Sequence, residues 1–310
     1  MAQFIFYRIL GNDLSPRHRS GQTLASLKFI LKNEPVFPGV EKRWIVNRIV
    51  DAGMRNEIVR LLEKHKQEYR IIDFDRERFK SIPKSNFKAR MDEIIGINAA
   101  RNMALREGRQ LGRWVLPFDG NCFFTDEAWS ETQAACQKEP GPRYIIVPMV
   151  RVVDKASFLR MVNSSGTCRE DRGLLIKIGT ISEPQIIFSH DSKDEFDEDF
   201  SYGYLSKAEL LFRLGVPGEW DRWDPAVKEK SLERRSDDFG SFTVAGHVWR
   251  LPSGNEYAEK DLQQRGLDRD RGIALLMLGV DCKYSWAYLK GCLRIWLDSL
   301  VRGVFKRRNK

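Results

Sequence analysis

Strand-like and helix-like segments alternate over the first 74 residues, and this alternation restricts the possible folds more than any other feature. Residues 4–10, 42–50 and 69–74 are rich in β-branched and aromatic side chains, which predicts three strands. Residues 22–32 and 54–66 carry leucines and isoleucines at helical spacing. Because parallel strands need crossover connections, the β-α-β-α-β order predicts an α/β fold with a mostly parallel central sheet flanked by helices.

The rest of the chain continues this pattern less regularly. Residues 75–90 are basic and contain Pro83, which predicts a loop, and residues 113–118 predict an apolar strand that stops at Asp119. Further strands are expected at residues 143–153, 168–178, 183–189 and 242–251, and helices at 94–107, 205–214 and 259–278. We expect a first half at residues 1–155, a second half of the same fold at 156–280, and a C-terminal helix at 281–310.

The chain carries 52 Lys and Arg against 43 Asp and Glu, a formal net charge of +9. Nucleic acid, an anionic membrane surface or a phosphorylated small molecule are each compatible with this excess. The sequence contains no recognised nucleic-acid-binding motif, so a nucleic-acid partner is not expected.

The N-terminal residues predict no signal peptide, because they lack a basic leader and a long apolar segment. No stretch reaches the roughly 18 apolar residues of a membrane span. The five cysteines are odd in number and widely spaced, which favours a reducing compartment. The expected location is therefore cytoplasmic.

Polar residues follow several of the predicted strands. Asn12 and Asp13 follow the first strand, Asp51 follows the second, and Asp119, Gly120 and Asn121 follow residues 113–118. Ligands of open α/β sheets bind beyond the carboxyl ends of the strands, so these side chains are candidates for one shared crevice. The alternative is that each residue only begins a turn, which Asp and Asn commonly do.

Residues 96–105 (Gly-Ile-Asn-Ala-Ala-Arg-Asn-Met-Ala-Leu) and 114–121 (Trp-Val-Leu-Pro-Phe-Asp-Gly-Asn) resemble the donor site of GT-A glycosyltransferases, especially their family-2-like branch. In that branch an Ala-Arg-Asn helix start precedes a strand that ends in an Asp-x-Asp motif. The resemblance implies a GT-A-like fold and a nucleotide-sugar donor. The donor-binding residues it implies, together with those at the strand ends, are Asn12, Asp13, Asp51, Asn98, Arg101, Asp119, Gly120 and Asn121.

The resemblance also implies a divalent metal ion, Mn²⁺ or Mg²⁺, which neutralises the departing diphosphate. Carboxylate oxygens are suitable ligands for such ions, and Asp119 fits that role. Asn121 stands where the family often has a second Asp, and it brings no charge. We therefore expect Asp119, Asn121 and His247 to form the metal site.

His247 enters through a second resemblance. Residues 202–214 and 243–250 are similar to the acceptor half of polypeptide N-acetylgalactosaminyltransferases, whose Gly-His-Val strand supplies a metal-binding histidine. Glu209 and Arg213 match the helix of that half. Where family-2-like enzymes carry the acidic general base, this chain has Ser206 and Lys207.

The catalytic base must then come from elsewhere. Glu209 is one candidate, and the acidic segment at residues 191–199 offers others, of which Asp191 beside His190 is the most distinctive. A solvated acidic loop is the alternative interpretation of that segment.

Residues 289–304 carry apolar side chains at helical spacing and are followed by a basic tail. Such a helix can lie on an anionic membrane through residues 286–310, or it can pack its apolar face on the core.

The combined expectation is a metal-assisted glycosyltransferase that acts on a glycan or lipid-linked acceptor in surface polysaccharide or lipopolysaccharide assembly. It would work in the cytoplasm, peripherally on the inner face of the plasma membrane. The alternatives are a sugar-phosphate transferase of the same fold and a non-enzymatic protein that binds nucleic acid or an anionic surface.

Overall fold

The structure is a computed structural model that describes residues 2–138, 141–152, 158, 184–200, 205–218, 220, 225–252 and 262–281. The strand predicted at 168–178, the boundary at 155 and the C-terminal segment at 286–310 lie outside these residues.

The described strands are β1 (Ala2–Leu10), β2 (Val40–Asn47), β3 (Glu68–Ile72), β4 (Gly112–Asp119), β5 (Cys122–Phe123), β6 (Tyr144–Val147), β7 (Met149–Arg151), β8 (Gln185–Ser189), β9 (Phe242–Val244) and β10 (Val248–Arg250). The described helices are α1 (Gln22–Asn33), α2 (Ala52–Lys64), α3 (Arg76–Ser81), α4 (Phe87–Ile95), α5 (Ile97–Leu111), α6 (Asp126–Cys136), α7 (Leu205–Arg213), α8 (Pro225–Leu232) and α9 (Leu262–Asp281).

Seven of the described strands form one sheet in the order β3-β2-β1-β4-β8-β6-β9. Strands β1 to β4 are parallel to one another, β8 runs antiparallel to β4 and β6, and β6 is parallel to β9. The predicted α/β class with a mostly parallel sheet and flanking helices is therefore confirmed. A second, three-stranded sheet has the order β5-β10-β7.

Hydrophobic residues cover both faces of the large sheet. Along β1, Phe4 and Phe6 belong to one buried cluster, whereas Ile5 and Tyr7 belong to another. Successive side chains of a strand point to opposite faces, so β1 is buried from both sides, as expected of a central parallel strand.

Helix α5 packs closely on the sheet because its buried side chains are small. Ala100, Ala104 and Gly108 are buried and recur every four residues, which places them on one helix face. A Cβ atom added at Gly108 would lie only 2.5 Å from a methyl group of Val115 on β4. This close contact fixes the C-terminal part of α5 against the first half of β4.

The loop predicted at residues 75–90 is wrong, since this segment contains α3 and the first part of α4. Asp75 and Asn86 accept hydrogen bonds from the backbone at the two helix starts, at 2.9 and 3.1 Å. Phe79 is fully buried, and the Arg90 guanidinium lies 4.2 Å from the centre of its ring. The loop was predicted because the segment is basic, and basic residues are usually exposed. Arg90 is instead buried against the Phe79 ring.

The strand predicted at residues 242–251 divides into two strands of different sheets, β9 in the large sheet and β10 in the small one. Gly246, between them, has a φ of +62°. A Cβ atom there would lie 2.1 Å from the Thr132 hydroxyl oxygen on α6. Glycine therefore permits the bend that redirects the chain from one sheet to the other.

A buried ionic cluster lies on the opposite face of β1 from α5. Arg8 is fully buried and forms an ion pair with Glu34, which also pairs with Lys42 at 2.8 Å. Arg8 Nε donates to the Cys122 carbonyl at 2.9 Å, and Glu34 accepts from the Phe124 amide at 2.9 Å. The cluster thus anchors the chain that follows Asp119.

Among the described residues, no helix is both long enough and apolar enough to span a membrane.

Candidate functional site

The candidate site lies at the carboxyl end of β4, beside β1. The chain runs outward from β1 to β2 and β3 and then returns to place β4 on the other side of β1. This reversal of strand order opens a crevice where ligands of such sheets bind. Asp119 ends β4 and lies opposite Ile9 of β1 in the parallel register.

Three side chains from three different elements bind the Asp119 carboxylate. Arg101 of α5 donates to Oδ1 at 2.8 Å, and Lys207 of α7 lies 3.0 Å from Oδ2. Gln185, the first residue of β8, donates to Oδ2 at 3.1 Å. Because β8 is antiparallel to β4, its first residue lies at the edge where β4 ends. The reversed strand therefore brings Gln185 to the site.

Asn98 holds Arg101 in position. Its amide nitrogen donates to the carbonyls of Asp197, Phe200 and Ser206 at 2.8 to 2.9 Å, and its amide oxygen accepts from Arg101 at 2.8 Å. Most of the hydrogen-bonding groups of this buried side chain are therefore paired with other groups of the protein. The predicted donor-binding role of Asn98 stays a prediction, and its described contacts are those of a positioning residue.

Strand β10 brings Arg250 beside the site. Arg250 lies opposite Cys122 in the antiparallel β5–β10 pair. The next residue, Leu251, exchanges hydrogen bonds with Asn121: its amide donates to the Asn121 carbonyl, and its carbonyl accepts from the Asn121 side chain, both at 2.9 Å. Asn121 thus ties the Asp119 turn to β10.

The positive charges outweigh the effect of burial on Asp119. Burial alone would raise the pKa of its carboxyl group, but the charges of Lys207, Arg101 and Arg250 hold that pKa well below its usual range. Asp119 is therefore ionised at neutral pH. The four side chains carry three positive charges and one negative charge, a net charge of +2.

The same positive potential extends to the loop after β1. Burial, together with the charges of Arg17, Arg250 and Arg265, lowers the pKa of His18 to about 3. His18 is thus neutral, and its Nδ1 accepts a hydrogen bond from the Leu14 amide at 3.1 Å. The charge of Arg250 thus acts on both His18 after β1 and Asp119 at the end of β4.

Gly120 allows the turn after Asp119 to lie directly against β1. A Cβ atom at this position would be 2.5 Å from the Ile9 carbonyl oxygen and 2.9 Å from the Leu10 side chain. Neither a backbone oxygen nor a packed core residue can easily move away. The predicted site residue Gly120 therefore has a steric role.

Replacing Gly120 with alanine is expected to lower the free energy of unfolding by about 1–3 kcal/mol, because the methyl group overpacks the turn. Urea unfolding followed by circular dichroism measures the change. Gly11→Ala is the matched control, since a Cβ atom there meets nothing within 4 Å and the expected change is within about 0.5 kcal/mol. Equal effects of the two substitutions would contradict the steric role.

The predicted donor-binding residues Asn12, Asp13 and Asp51 make local backbone contacts. Asn12 links the Arg48 carbonyl and the Val50 amide, both at 2.8 Å. Asp13 accepts from the Thr23 amide and hydroxyl at 3.0 and 2.7 Å, at the start of α1. Asp51 caps α2 by accepting from the Met54 amide at 2.9 Å. These contacts match the alternative in which such residues shape turns and helix starts.

His247 is not brought to Asp119. Its Nδ1 lies 3.3 Å from a carboxylate oxygen of Glu131 on α6, and its ring meets the Trp249 ring edge-on at 5.3 Å. Strand β10 runs antiparallel to β5, so the carboxyl end of β10 approaches Asn121. His247 directly precedes the amino end of β10. His247 and Leu251 are four positions apart, which corresponds to roughly 13 Å along an extended strand.

Asp191 lies near the amino end of β4, whereas Asp119 lies at the carboxyl end of that strand. Ser189 pairs with Trp114 near the start of β4, and Asp191 follows two residues later, ion-paired with Arg143. Trp114 and Asp119 are five residues apart on β4, roughly 16 Å. The geometry therefore separates the predicted base Asp191 from the site.

Glu209 is also directed elsewhere. It lies two residues after Lys207 on α7, and residues two apart point to nearly opposite sides of a helix. It is buried and pairs with Arg213 at 2.8 Å, while Arg213 pairs with Asp194 at 3.1 Å. Burial raises the pKa of Glu209, and Arg213 opposes that effect. Its contacts hold the acidic segment at residues 191–199 against α7.

The oxygen atoms predicted to hold Mn²⁺ or Mg²⁺ do not form a cation-binding set. Both Asp119 oxygens already accept from cationic or amide donors, and His247 lies apart. Over the described ranges, no three or more His, Cys, Asp or Glu side chains are grouped as metal ligands. Hard divalent ions need several oxygen ligands directed at one point, which this arrangement does not supply.

Lys207, Gln185 and Arg250 are the site residues that the sequence did not identify. Lys207 left one signal, because it stands where family-2-like enzymes carry an acid. Arg250 ends the Gly-His-Val-Trp-Arg segment of the second resemblance, although no site role was predicted for it. Gln185 left no signal, since strand pairing alone decides that it meets Asp119.

No protein-family model matches this chain, and no curated protein sequence matches it.

Proposed function

We propose that this chain is a glycosyltransferase of GT-A-like fold that uses a nucleotide-sugar donor, with the donor diphosphate bound at the Asp119 site. The observation that carries the proposal is the collection of Arg101, Lys207 and Arg250 from three separate elements at the crevice between β1 and β4. Arg101 and Lys207 are buried and Arg250 is half-buried, whereas cations that serve only as surface charges are mostly exposed.

The chemistry of sugar transfer matches this charge distribution. A nucleotide sugar loses its nucleoside diphosphate as the bond to the sugar breaks, so negative charge develops on the leaving oxygen. Fixed cations at that position stabilise the transition state more than the ground state. The net charge of +2 complements a diphosphate in which each phosphate group is ionised.

The resemblance to GT-A enzymes supports the same assignment. Residues 96–121 contain α5, β4 and the Asp119 turn, and Arg101 of α5 contacts Asp119 directly. Ser206 and Lys207, at the positions compared with the acidic pair of that family, contact Arg101 and Asp119 respectively. Four of the residues compared by sequence are therefore in contact: Arg101, Asp119, Ser206 and Lys207.

The acceptor half of the proposal rests on sequence. The family resemblance suggests a glycan or lipid-linked acceptor and a role in surface polysaccharide or lipopolysaccharide assembly. Together with the basic segment at residues 286–310, it also suggests a cytoplasmic, membrane-peripheral location.

Nucleotide binding tests the proposal. We expect UDP or GDP to bind the full chain with a dissociation constant between about 1 μM and 1 mM, the range in which enzymes commonly bind substrates. Isothermal titration, with and without Mn²⁺, measures this, and CMP serves as the monophosphate comparison. Matching UDP- or GDP-sugars are then expected to release their nucleotide on incubation with an acceptor glycan.

Two results would count against the proposal. Failure of all nucleotides to bind in either condition would remove the donor site. A product in which the sugar is joined through a phosphodiester would instead favour transfer of a sugar phosphate.

A further inference from the structure

Both oxygens of the Asp119 carboxylate form ion pairs with cationic side chains of the protein. Lys207 Nζ lies 3.0 Å from one oxygen and Arg101 2.8 Å from the other, and the side chains of Lys207 and Arg101 are only 6% and 3% exposed. Both cations are therefore held in place by the surrounding fold. A metal ion could reach Asp119 only by displacing them while remaining within a few ångströms of their charges, and like charges repel.

We propose that this site binds a diphosphate without a divalent cation, with Lys207 and Arg250 taking the part that a metal ion would have. The inference rests on the proposed function for the identity of the ligand as a nucleotide sugar. The cationic site itself does not require that identity, because any diphosphate of suitable size carries the same charges.

The position of each cation suits this role. Lys207 comes from the first turn of α7 and Arg250 from the end of β10, so the two charges approach Asp119 from different elements. A lysine ammonium carries a full positive charge and three N–H donors, and such donors bind phosphate oxygens as well as carboxylates. Arginine can bind phosphate with two parallel N–H bonds.

Asp119 is a positioning residue in this arrangement. Its carboxylate fixes the Lys207 ammonium and the Arg101 guanidinium before any ligand arrives, which reduces the entropy lost on binding. The Asp119 pKa, held well below its usual range, keeps the carboxylate charged throughout the neutral range. Asn98 accepts a hydrogen bond from Arg101, and Gln185 donates one to Asp119, which completes the support of these two residues.

Titration of the full chain in the presence of EDTA tests the inference, with pyrophosphate, UDP and GDP as probes. We expect at least one probe to bind in EDTA, and Mn²⁺ or Mg²⁺ to change its affinity by less than about threefold. Lys207→Met is expected to weaken that binding about 10- to 100-fold, because a charge-assisted hydrogen bond is lost. Lys207→Arg, which keeps the charge, is expected to retain most of the affinity.

Lys193→Met is the matched control, because Lys193 is exposed on the acidic segment, which follows β8 near the amino end of β4. Its substitution is expected to leave binding unchanged. Urea unfolding of each variant checks that the chain is folded, and Arg250→Met replaces Lys207→Met if the latter does not fold.

The outcomes separate the inference from the proposed function. Binding of UDP or GDP only with Mn²⁺ or Mg²⁺, or affinity in EDTA that a folded Lys207→Met variant retains, overturns the inference and leaves glycosyl transfer standing. Lysine-dependent binding of pyrophosphate in EDTA without turnover of any nucleotide sugar supports the inference and counts against the function. Failure of every probe in both conditions overturns both.

Discussion

Asp119→Asn is expected to lower the rate of donor turnover about 100-fold, the scale of loss that follows from misplacing groups at a reacting centre. An asparagine offers one acceptor oxygen where Arg101, Lys207 and Gln185 now share two, so at least one of these donors loses its partner and shifts. Turnover is measured as nucleotide release from the UDP- or GDP-sugar that binds the wild-type chain.

The same variant distinguishes a positioning carboxylate from a metal ligand. In Asp119→Asn the site carries one more net positive charge, which offsets the loss of the fixed positions of Lys207 and Arg101. Pyrophosphate binding in EDTA is therefore expected to change little while turnover falls. A metal-binding role instead predicts the loss of Mn²⁺-dependent nucleotide binding. Unchanged turnover would show that Asp119 takes no part in the reaction.

Asp75→Asn serves as the control for Asp119→Asn, because it makes the identical chemical change at an exposed helix cap. Asparagine caps helices about as well as aspartate, so its stability and turnover are expected to match those of the wild-type chain.

Arg8→Met is expected to lower the free energy of unfolding by about 3–5 kcal/mol, the cost of leaving one partner of a buried ion pair uncompensated. Arg8 is fully buried, pairs with Glu34 and donates to the Cys122 carbonyl at 2.9 Å. Its guanidinium also lies 3.9 Å from the centre of the Phe6 ring, so a cation–π contact is lost too. The ion pair between Glu34 and Lys42 remains and favours the lower end of this range.

Urea unfolding measures the effect of Arg8→Met, and Lys28→Met is the control. Lys28 pairs with Glu57 at 3.5 Å, but its side chain is 55% exposed, so this loss is expected to stay within about 0.5 kcal/mol. A loss below about 1 kcal/mol for Arg8→Met would show that the cluster contributes little. Because Arg8 and Glu34 anchor Cys122 and Phe124, the same variant is also expected to weaken nucleotide binding at the neighbouring Asp119 turn.

The first half of the fold was predictable from local patterns. The strands and helices from β1 to β3 follow from alternating and helical hydrophobic spacing, because burying one face of each element requires that spacing. The apolar residues of β4 and the turn residues after it also predicted correctly that a strand would stop at Asp119. The segment of α3 and α4 was missed because its basic composition concealed Phe79, and Arg90 proved to be buried.

The contacts of the site were less predictable than its location. The sequence identified Arg101 and Asp119, which the structure brings to 2.8 Å from each other, because both lie in one helix–strand unit. It also grouped His247, Asp191 and Glu209 with them, and the structure places these three elsewhere. Their positions depend on the pairing of β10 with β5, on the reversed direction of β8, and on which side of α7 faces the sheet.

The sequence by itself determined the alternating elements, the mostly parallel sheet and the end of β4 at Asp119, since each depends on residues close together along the chain. Only the tertiary structure decided what surrounds Asp119. Lys207 and Gln185 lie 88 and 66 residues away in sequence, and strand register and helix orientation bring them within 3.0 and 3.1 Å. Those two long-range contacts join the Asp119 carboxylate, which the sequence predicted as a metal ligand, to a lysine and a glutamine side chain.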